Sequence, residues 1–261
     1  VDPEAFDVTV DLGSTIERTL SVSNTGGNAL EYEAVFSAGG EDTEPSAVAA
    51  PFAGSSGSVS ADAFQASGSA RPTGQQPYQA SDYIYQVDDG SSEDAIGLTD
   101  GGDVMWMNAF EVVDGATTIT SIASAWGASG QEGIPEGRPA EFLLYEDPND
   151  DGDPSDAVLL DRTEVTVESP HTDEFTEGSI APTQVEGVFF IAALYADQQG
   201  GANAEFPAPQ DQDTSEGASW VIGSTTPNSF DAEDLGANDV PPANVDDVGL
   251  PGNWLLRADA G

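Results

Sequence analysis

The sequence predicts an all-β protein, and three observations carry that prediction. Apolar and polar residues alternate with period two over many short stretches, the signal of half-buried strands. Clusters of Gly, Pro, Asn and Asp separate those stretches and supply turns. None of the stretches sustains a 3.6-residue period. Short strands divided by turns indicate an antiparallel β-sandwich of jelly-roll type.

The chain reads as three parts. Over residues 1–37, Phe6, Val8, Val10 and Leu12 alternate with polar residues, Ile16, Leu20 and Val22 keep the same parity, and Leu30, Tyr32, Ala34 and Phe36 alternate again. "DLGST" and "NTGGN" are the turns of this N-terminal β segment. Residues 38–77 lose all periodicity and are dominated by Gly, Ser, Ala and Pro, the composition of a linker. Phe52 and Phe64 are the exceptions there, suited to pinning the segment to a surface. Residues 78–261 form the larger sandwich, with strands expected at 83–87, 104–113, 117–126, 140–146, 157–161, 163–167, 185–196, 219–222 and 253–258. Residues 200–252 are acidic, Pro-rich and poor in apolar residues, and are expected as surface loops.

Charge sets the environment. The chain has 48 Asp and Glu against 5 basic residues, all Arg, for a formal net charge of -43. Such a charge opposes a compact fold in dilute buffer. At about 1 M salt the screening length falls to about 3 Å and the repulsion nearly vanishes. The composition is that of a halophile's protein, bacterial or archaeal. The 38% of hydrophobic residues, including 4 Trp, 6 Tyr and 11 Phe, argues against a disordered acidic chain for most of its length. No basic stripe exists to meet nucleic acid or an anionic membrane surface. The longest apolar run, Val188 to Ala196, is too short to span a bilayer. No charged-then-apolar leader opens the chain, so its start at Val1 reads as processed or as cut from something longer.

Two local patterns resemble known modules. "FDVTVDLGSTIERTLSVSNTGGNALEYEA" resembles the Ig-like repeats of bacterial secreted and surface proteins, through Ser23, Asn24, Thr25, Gly26, Leu30 and Tyr32. "YQVDDGSSEDAIGL", "LLYEDPNDDGDPSDAVLL" and "GNWLLRA" resemble β-sandwich modules appended to secreted subtilisin-like peptidases and cell-surface proteins. The resemblance implies an extracellular or cell-surface location and a non-catalytic role. The peptidase domain of such proteins has no counterpart here.

Few residues offer catalysis. There is no Lys, which excludes a P-loop and a Schiff base, and no Cys, which excludes disulfides and thiolate metal sites. The one histidine, His171, excludes a His-rich zinc site. Ser169, His171 and Asp173 hold the letters of a triad, but at alternate positions of an extended segment they lie side by side. His171 is expected as an exposed loop residue. So many acids make a glycosidase-type carboxylate pair uninformative. Trp106, Trp126, Trp220 and Trp254 are candidates for a carbohydrate-stacking platform, with core packing as the rival role.

The chemistry-bearing stretch is "EDPNDDGDPSDA". Asp147, Asn149 and Asp151 stand at alternate positions ahead of Gly152, the opening of a calcium loop, and Asp153 and Asp156 are placed to complete an oxygen shell. Val158 stands where an EF-hand has its Glu, and the flanks read as strands. The expectation is a hairpin loop that binds a structural Ca2+, the alternative being a solvated acidic turn. "DDGSSED", with Asp88, Asp89, Glu93 and Asp94, is a second candidate, placed to tie the first strand of the sandwich to a neighbour.

These readings give a non-catalytic structural or adhesive protein, self-associating or bound to other surface components. The alternatives are an extracellular filament subunit assembled by strand addition through residues 1–37, and an accessory domain of a secreted hydrolase. Folding is expected to require concentrated salt. Circular dichroism across a NaCl series checks this, and full native structure in dilute buffer would contradict it.

Overall fold

Alternating stretches become strands when their apolar face finds a partner layer. The computed structural model describes residues 63–66 and 85–261. The chain divides into two units, Val1–Thr43 and Glu44–Gly261, and all described residues belong to the second. The strands expected within residues 1–37, and Phe52, lie outside the described residues.

In chain order the strands are β1 (Phe64–Ala66), β2 (Asp94–Leu98), β3 (Gly101–Glu111), β4 (Thr118–Ser124), β5 (Pro139–Glu146), β6 (Val158–Thr166), β7 (Thr176–Gln184), β8 (Val188–Gln199), β9 (Ala208–Asp211), β10 (Ser219–Ser224), β11 (Val240–Asn244), β12 (Asn253–Trp254) and β13 (Leu256–Ala260). They form a six-stranded sheet, β11-β10-β3-β8-β5-β6, a four-stranded sheet, β1-β2-β9-β12, and a three-stranded sheet, β13-β4-β7. Every ladder is antiparallel. The result is the expected all-β sandwich.

The inner face of the six-stranded sheet presents Trp106 and Phe110 from β3, Phe142 and Leu144 from β5, and Phe189 and Ile191 from β8. They share one core with Ile122 of β4, Ile180 of β7, Ile96 and Leu98 of β2, and Trp254 of β12. Trp126 stacks on Phe142 at 5.8 Å and meets Trp106 edge-on at 5.6 Å. The outer face is apolar too. Met105 and Met107, Leu143 and Tyr145, Phe190 and Ala192, and Trp220 and Ile222 gather there with Ala232 and Leu235, and Phe230 packs against them. Asp103, fully buried, holds this cover in place: its carboxylate accepts from the backbone N–H groups of Asn228, Ser229 and Phe230, and of Asp197 on β8.

Several expectations are corrected. Besides the expected strand at 219–222, which is β10, residues 200–252 are not all surface loop: they supply β9, β11 and the outer cover. Outside β10 their apolar residues are too scattered to show a period. The two strands expected at 157–161 and 163–167 are one, β6, with Arg162 in mid-strand 4.0 Å from Glu141 of β5. The strand at 253–258 breaks at Leu255, where the chain passes from the four-stranded to the three-stranded sheet. The strand expected at 83–87 reduces to a bridge between Tyr85 and Ala258. β7 had not been expected. Its buried positions are Thr176, Gly178 and Ile180, and a Cβ on Gly178 would lie 2.6 Å from Val165 and 2.7 Å from Phe142. A strand that must approach its neighbours this closely carries no large apolar residue there to announce it. Finally, β1 lies within the expected linker, and Phe64, 4% exposed, pins it to the sandwich as its sequence suggested. The six-stranded sheet ends at β11, a strand carrying Pro241 and Pro242, with a register shift between Val221 and Gly223 on β10.

Asn108 joins the layers. It points inward from β3, is fully buried, and donates to the carbonyls of Trp254 (3.1 Å) and Leu256 (2.9 Å), on the two strands either side of the sheet switch. Its Oδ1 accepts from Ser219 Oγ at 2.7 Å, and that hydroxyl accepts from the Trp254 N–H at 3.2 Å. One amide thus links strands of all three sheets. Asn108→Ala is expected to cost about 3 kcal/mol, a fall of about 6–12 °C in melting temperature in concentrated salt, because it leaves buried acceptors without a donor. Asn108→Asp is expected to cost at least as much, since a carboxylate cannot donate to two carbonyls. Differential scanning calorimetry on the two variants checks both outcomes.

Candidate metal centres

The first centre is the turn between β5 and β6, which pair up to Glu146 and Val158. The Asp-rich sequence builds it by repeating one local motif. An Asx side chain accepts from the backbone N–H two residues on. Asp147 Oδ1 accepts from Asn149 at 3.2 Å, and Asn149 Oδ1 from Asp151, Asp151 Oδ1 from Asp153 and Asp153 Oδ1 from Ser155, each at 2.9 Å. Gly152, at φ +75, allows the chain to curl back so that its N–H reaches Asp147 Oδ2 at 2.6 Å. Asp150 also takes a left-handed φ, +57, and its Oδ1 accepts from the Val188 N–H at 2.8 Å, docking the turn on the start of β8.

This folding sorts the expected ligands. Carboxylate oxygens of Asp147, Asp151 and Asp156 lie within 4.8 Å of one another. Asn149 stands beside them, donating Nδ2–H to Asp156 at 2.9 Å. Asp153 is drawn away: it caps the 3-10 turn Pro154–Asp156, with its Oδ1 taken by the N–H and hydroxyl of Ser155. Asp147 is the buried member, 5% exposed. Burial raises its pKa, two backbone N–H groups oppose the rise, and the charges of Asp151 and Asp156 add to it.

The second centre joins the turn before β2 to the turn after β9. These strands are neighbours, with Asp94 opposite Gln210, so the loops at their ends meet. Asp89, Asp211 and Asp213 bring carboxylate oxygens within 4.8 Å of one another. Asp211 is the buried member, 2% exposed, and accepts from the N–H groups of Asp89 and Asp213, both at 2.9 Å. Burial pushes its pKa up to about 7, opposed by those two N–H groups and reinforced by the charges of Asp89 and Glu93. Of the four acids expected here, only Asp89 belongs to this group. Glu93 accepts from the Gln212 N–H at 2.9 Å, and Asp94 from its neighbour Ala95 at 2.8 Å. Asp88 is paired with Arg257, whose Nε donates to it at 3.0 Å in a site where both side chains are buried. Burial raises the Asp88 pKa, and the guanidinium works against that rise. Asp211 and Asp213 were missed by the sequence reading. Their only local signal is the alternate spacing in "QDQDT", far along the chain from Asp89.

No protein family, curated protein or solved structure matches this chain.

The remaining candidates from the sequence fall elsewhere. Ser169, His171 and Asp173 do not follow an extended path; each has a left-handed φ, at +44, +65 and +61. His171 is half-buried and not the exposed loop residue expected. Its Nε2 accepts from the Ile134 N–H at 3.1 Å and its Nδ1 lies 3.3 Å from the Ala128 carbonyl, so the neutral Nδ1–H tautomer ties two loops together. Burial lowers its pKa accordingly. Asp173 accepts a short hydrogen bond from Ser92 Oγ. All four tryptophans are at most 1% exposed, which places them in the core and not on a sugar-stacking platform.

The raised pKa of Asp211 has a consequence for stability. A carboxyl whose folded pKa exceeds its unfolded value stabilises the fold most below the unfolded pKa, here 3.8, and that contribution is lost as pH rises to about 7. Asp211→Asn removes the titration. Measured in concentrated KCl with chelator, the melting temperature of Asp211→Asn relative to wild type is expected to improve steadily from pH 4 to pH 7 and then level off. A pH-independent difference would show that Asp211 titrates as in the unfolded chain.

Proposed function

We propose that this chain is a non-catalytic, extracellular structural module from a halophile, its sandwich stapled by Ca2+ at two acidic turns. The observation that carries the reading is that each turn converges three carboxylates on one point, one of them buried: Asp147 with Asp151 and Asp156, and Asp211 with Asp89 and Asp213. Clustered hard oxygens suit Ca2+, with backbone carbonyls and water completing its 6–8 ligands. The buried member explains why a cation stabilises the fold. Its charge is costly to bury alone, and a divalent ion both offsets that cost and relieves the repulsion of its two neighbours.

The two centres would staple different parts of the sandwich. The first holds the β5–β6 turn against the start of β8. The second closes the end of β2 onto β9, across a long stretch of sequence. A fold that has no Cys for disulfides gains long-range crosslinks in this way. The surface role follows from composition and from the resemblance of the sandwich stretches to modules of secreted and cell-surface proteins. The same features support an adhesive or scaffolding part in a cell envelope.

Chelator-treated protein in concentrated KCl, titrated with CaCl2 and followed by calorimetry, tests the reading. Each occupied site is expected to add about 2.7 kcal/mol at a hundredfold excess over its Kd. Asp147→Ala with Asp151→Ala should remove one part of the melting shift, and Asp89→Ala with Asp213→Ala the other. A quadruple variant that keeps the wild-type shift would sink the proposal.

A further inference from the structure

We infer that the open side of β2 is a strand-acceptor edge, filled in this chain by its own residues 63–66 and able to take the same residues from a second copy. β1 is a three-residue strand, added to the edge of a sandwich whose central strands run to eleven and twelve residues. Its register places Phe64, Gln65 and Ala66 opposite Leu98, Gly97 and Ile96, and the Thr99 N–H donates to the Ala63 carbonyl at 3.0 Å. Phe64 joins the core that holds Ile96 and Leu98. The acceptor is therefore defined: a line of backbone groups and one aromatic socket.

The other side of β2 is already closed. β9 pairs with Asp94, Ala95 and Ile96, and beyond its end the Gln198 side chain takes over, accepting from the Leu98 N–H at 2.9 Å and donating to the Leu98 carbonyl at 2.9 Å. β1 thus covers the one edge of β2 that the rest of the sandwich leaves to be covered. A Cβ on Gly97 would meet the Glu205 carbonyl at 2.6 Å, so this end of β2 is pressed against the β8–β9 connection.

The occupant is a second copy of this chain. The edge is fitted to this segment, and exchange of an identical segment keeps every contact while changing only which chain supplies it. Residues 67–84 separate β1 from Tyr85, a contour limit of about 60 Å, enough to reach a neighbouring molecule. Within one molecule the tether favours the chain's own segment. Exchange gains as copies become crowded, because the local concentration of the tethered segment is then matched by that of its neighbours. Reciprocal exchange between two copies closes a dimer, and donation from each copy to the next gives an open-ended array. This inference is independent of the cation reading: loss of the calcium shift would leave it untouched.

The absence of Cys allows a direct test. Two full-length chains are prepared, one with Ala63→Cys and one with Thr99→Cys, distinguished by mass, and mixed in concentrated salt under mild oxidation. A disulfide between the two chains forms efficiently only when β1 of one lies on β2 of the other. The expected result is a mixed dimer whose yield rises with protein concentration. It should fall about tenfold or more when the Ala63→Cys chain also carries Phe64→Asp, which removes the buried anchor. Circular dichroism of that chain checks that the sandwich persists without β1. A single chain carrying both cysteines, closed on itself, should show no exchange. A mixed dimer that is absent at all concentrations, or unchanged by Phe64→Asp, would overturn the inference.

Discussion

The carboxylate that is satisfied by backbone N–H groups, and not by an arginine, is the contact on which this fold depends. With 48 acids and 5 Arg, ion pairing can account for few of them. Among the described residues the close buried pair is Asp88 with Arg257, whose guanidinium also lies 4.2 Å over the Phe175 ring. Elsewhere the carboxylates act as caps. Asp103 gathers four N–H groups, Asp150 reaches the start of β8, Asp239 accepts from Thr225, and the β5–β6 turn is a relay of Asx contacts. Where the acceptor is a carboxylate, the hydrogen bond is charge-assisted, about twice as strong as a neutral one. An acid-rich sequence therefore does more than stay soluble. It supplies acceptors wherever a loop leaves donors unpaired, and this is why long loops between strands can be ordered with few apolar residues.

The same economy of apolar residues shapes the core. One sheet is apolar on both faces, so β3, β8 and β10 are buried along nearly their whole length. Such a sheet needs two covers. The inner cover is the pair of smaller sheets, joined by the strand that switches between them at Leu255. The outer cover among the described residues is irregular chain around Phe230, Ala232 and Leu235. It has little apolar area of its own, and Asp103 with Asn238 fixes it by hydrogen bonds, Asn238 bonding at once to Asp231 and Leu235.

Much of this was legible in the sequence. The long apolar strands β3, β5, β8 and β10 announce themselves, because each carries several large residues in a row. The Asp147 turn could be read because its acceptors and the donors they bind are two residues apart. The second centre was half legible: Asp89 lies in a visible acidic turn, while Asp211 and Asp213 reach it only through the pairing of β2 with β9, which sequence spacing does not encode. β7 was hidden because close packing there requires Gly and Thr. Asn108 was hidden for a different reason. Within "MWMNAF" a polar residue looks like an interruption of a strand, when it is the point where three sheets are joined.

The prolines of β11 have a consequence in concentrated salt. Concentrated salt strengthens the burial of apolar surface and shortens the reach of charge to about 3 Å, the width of one water molecule. Surface acids that keep proteins apart in dilute solution then lose much of that power, and a bare sheet edge becomes an adhesive seam. Pro241 and Pro242 offer no N–H to an approaching strand, and this bar is steric and chemical, so salt does not weaken it. One end of the six-stranded sheet is thereby kept from sticking to its neighbours by covalent structure, even in salt so concentrated that electrostatics no longer can.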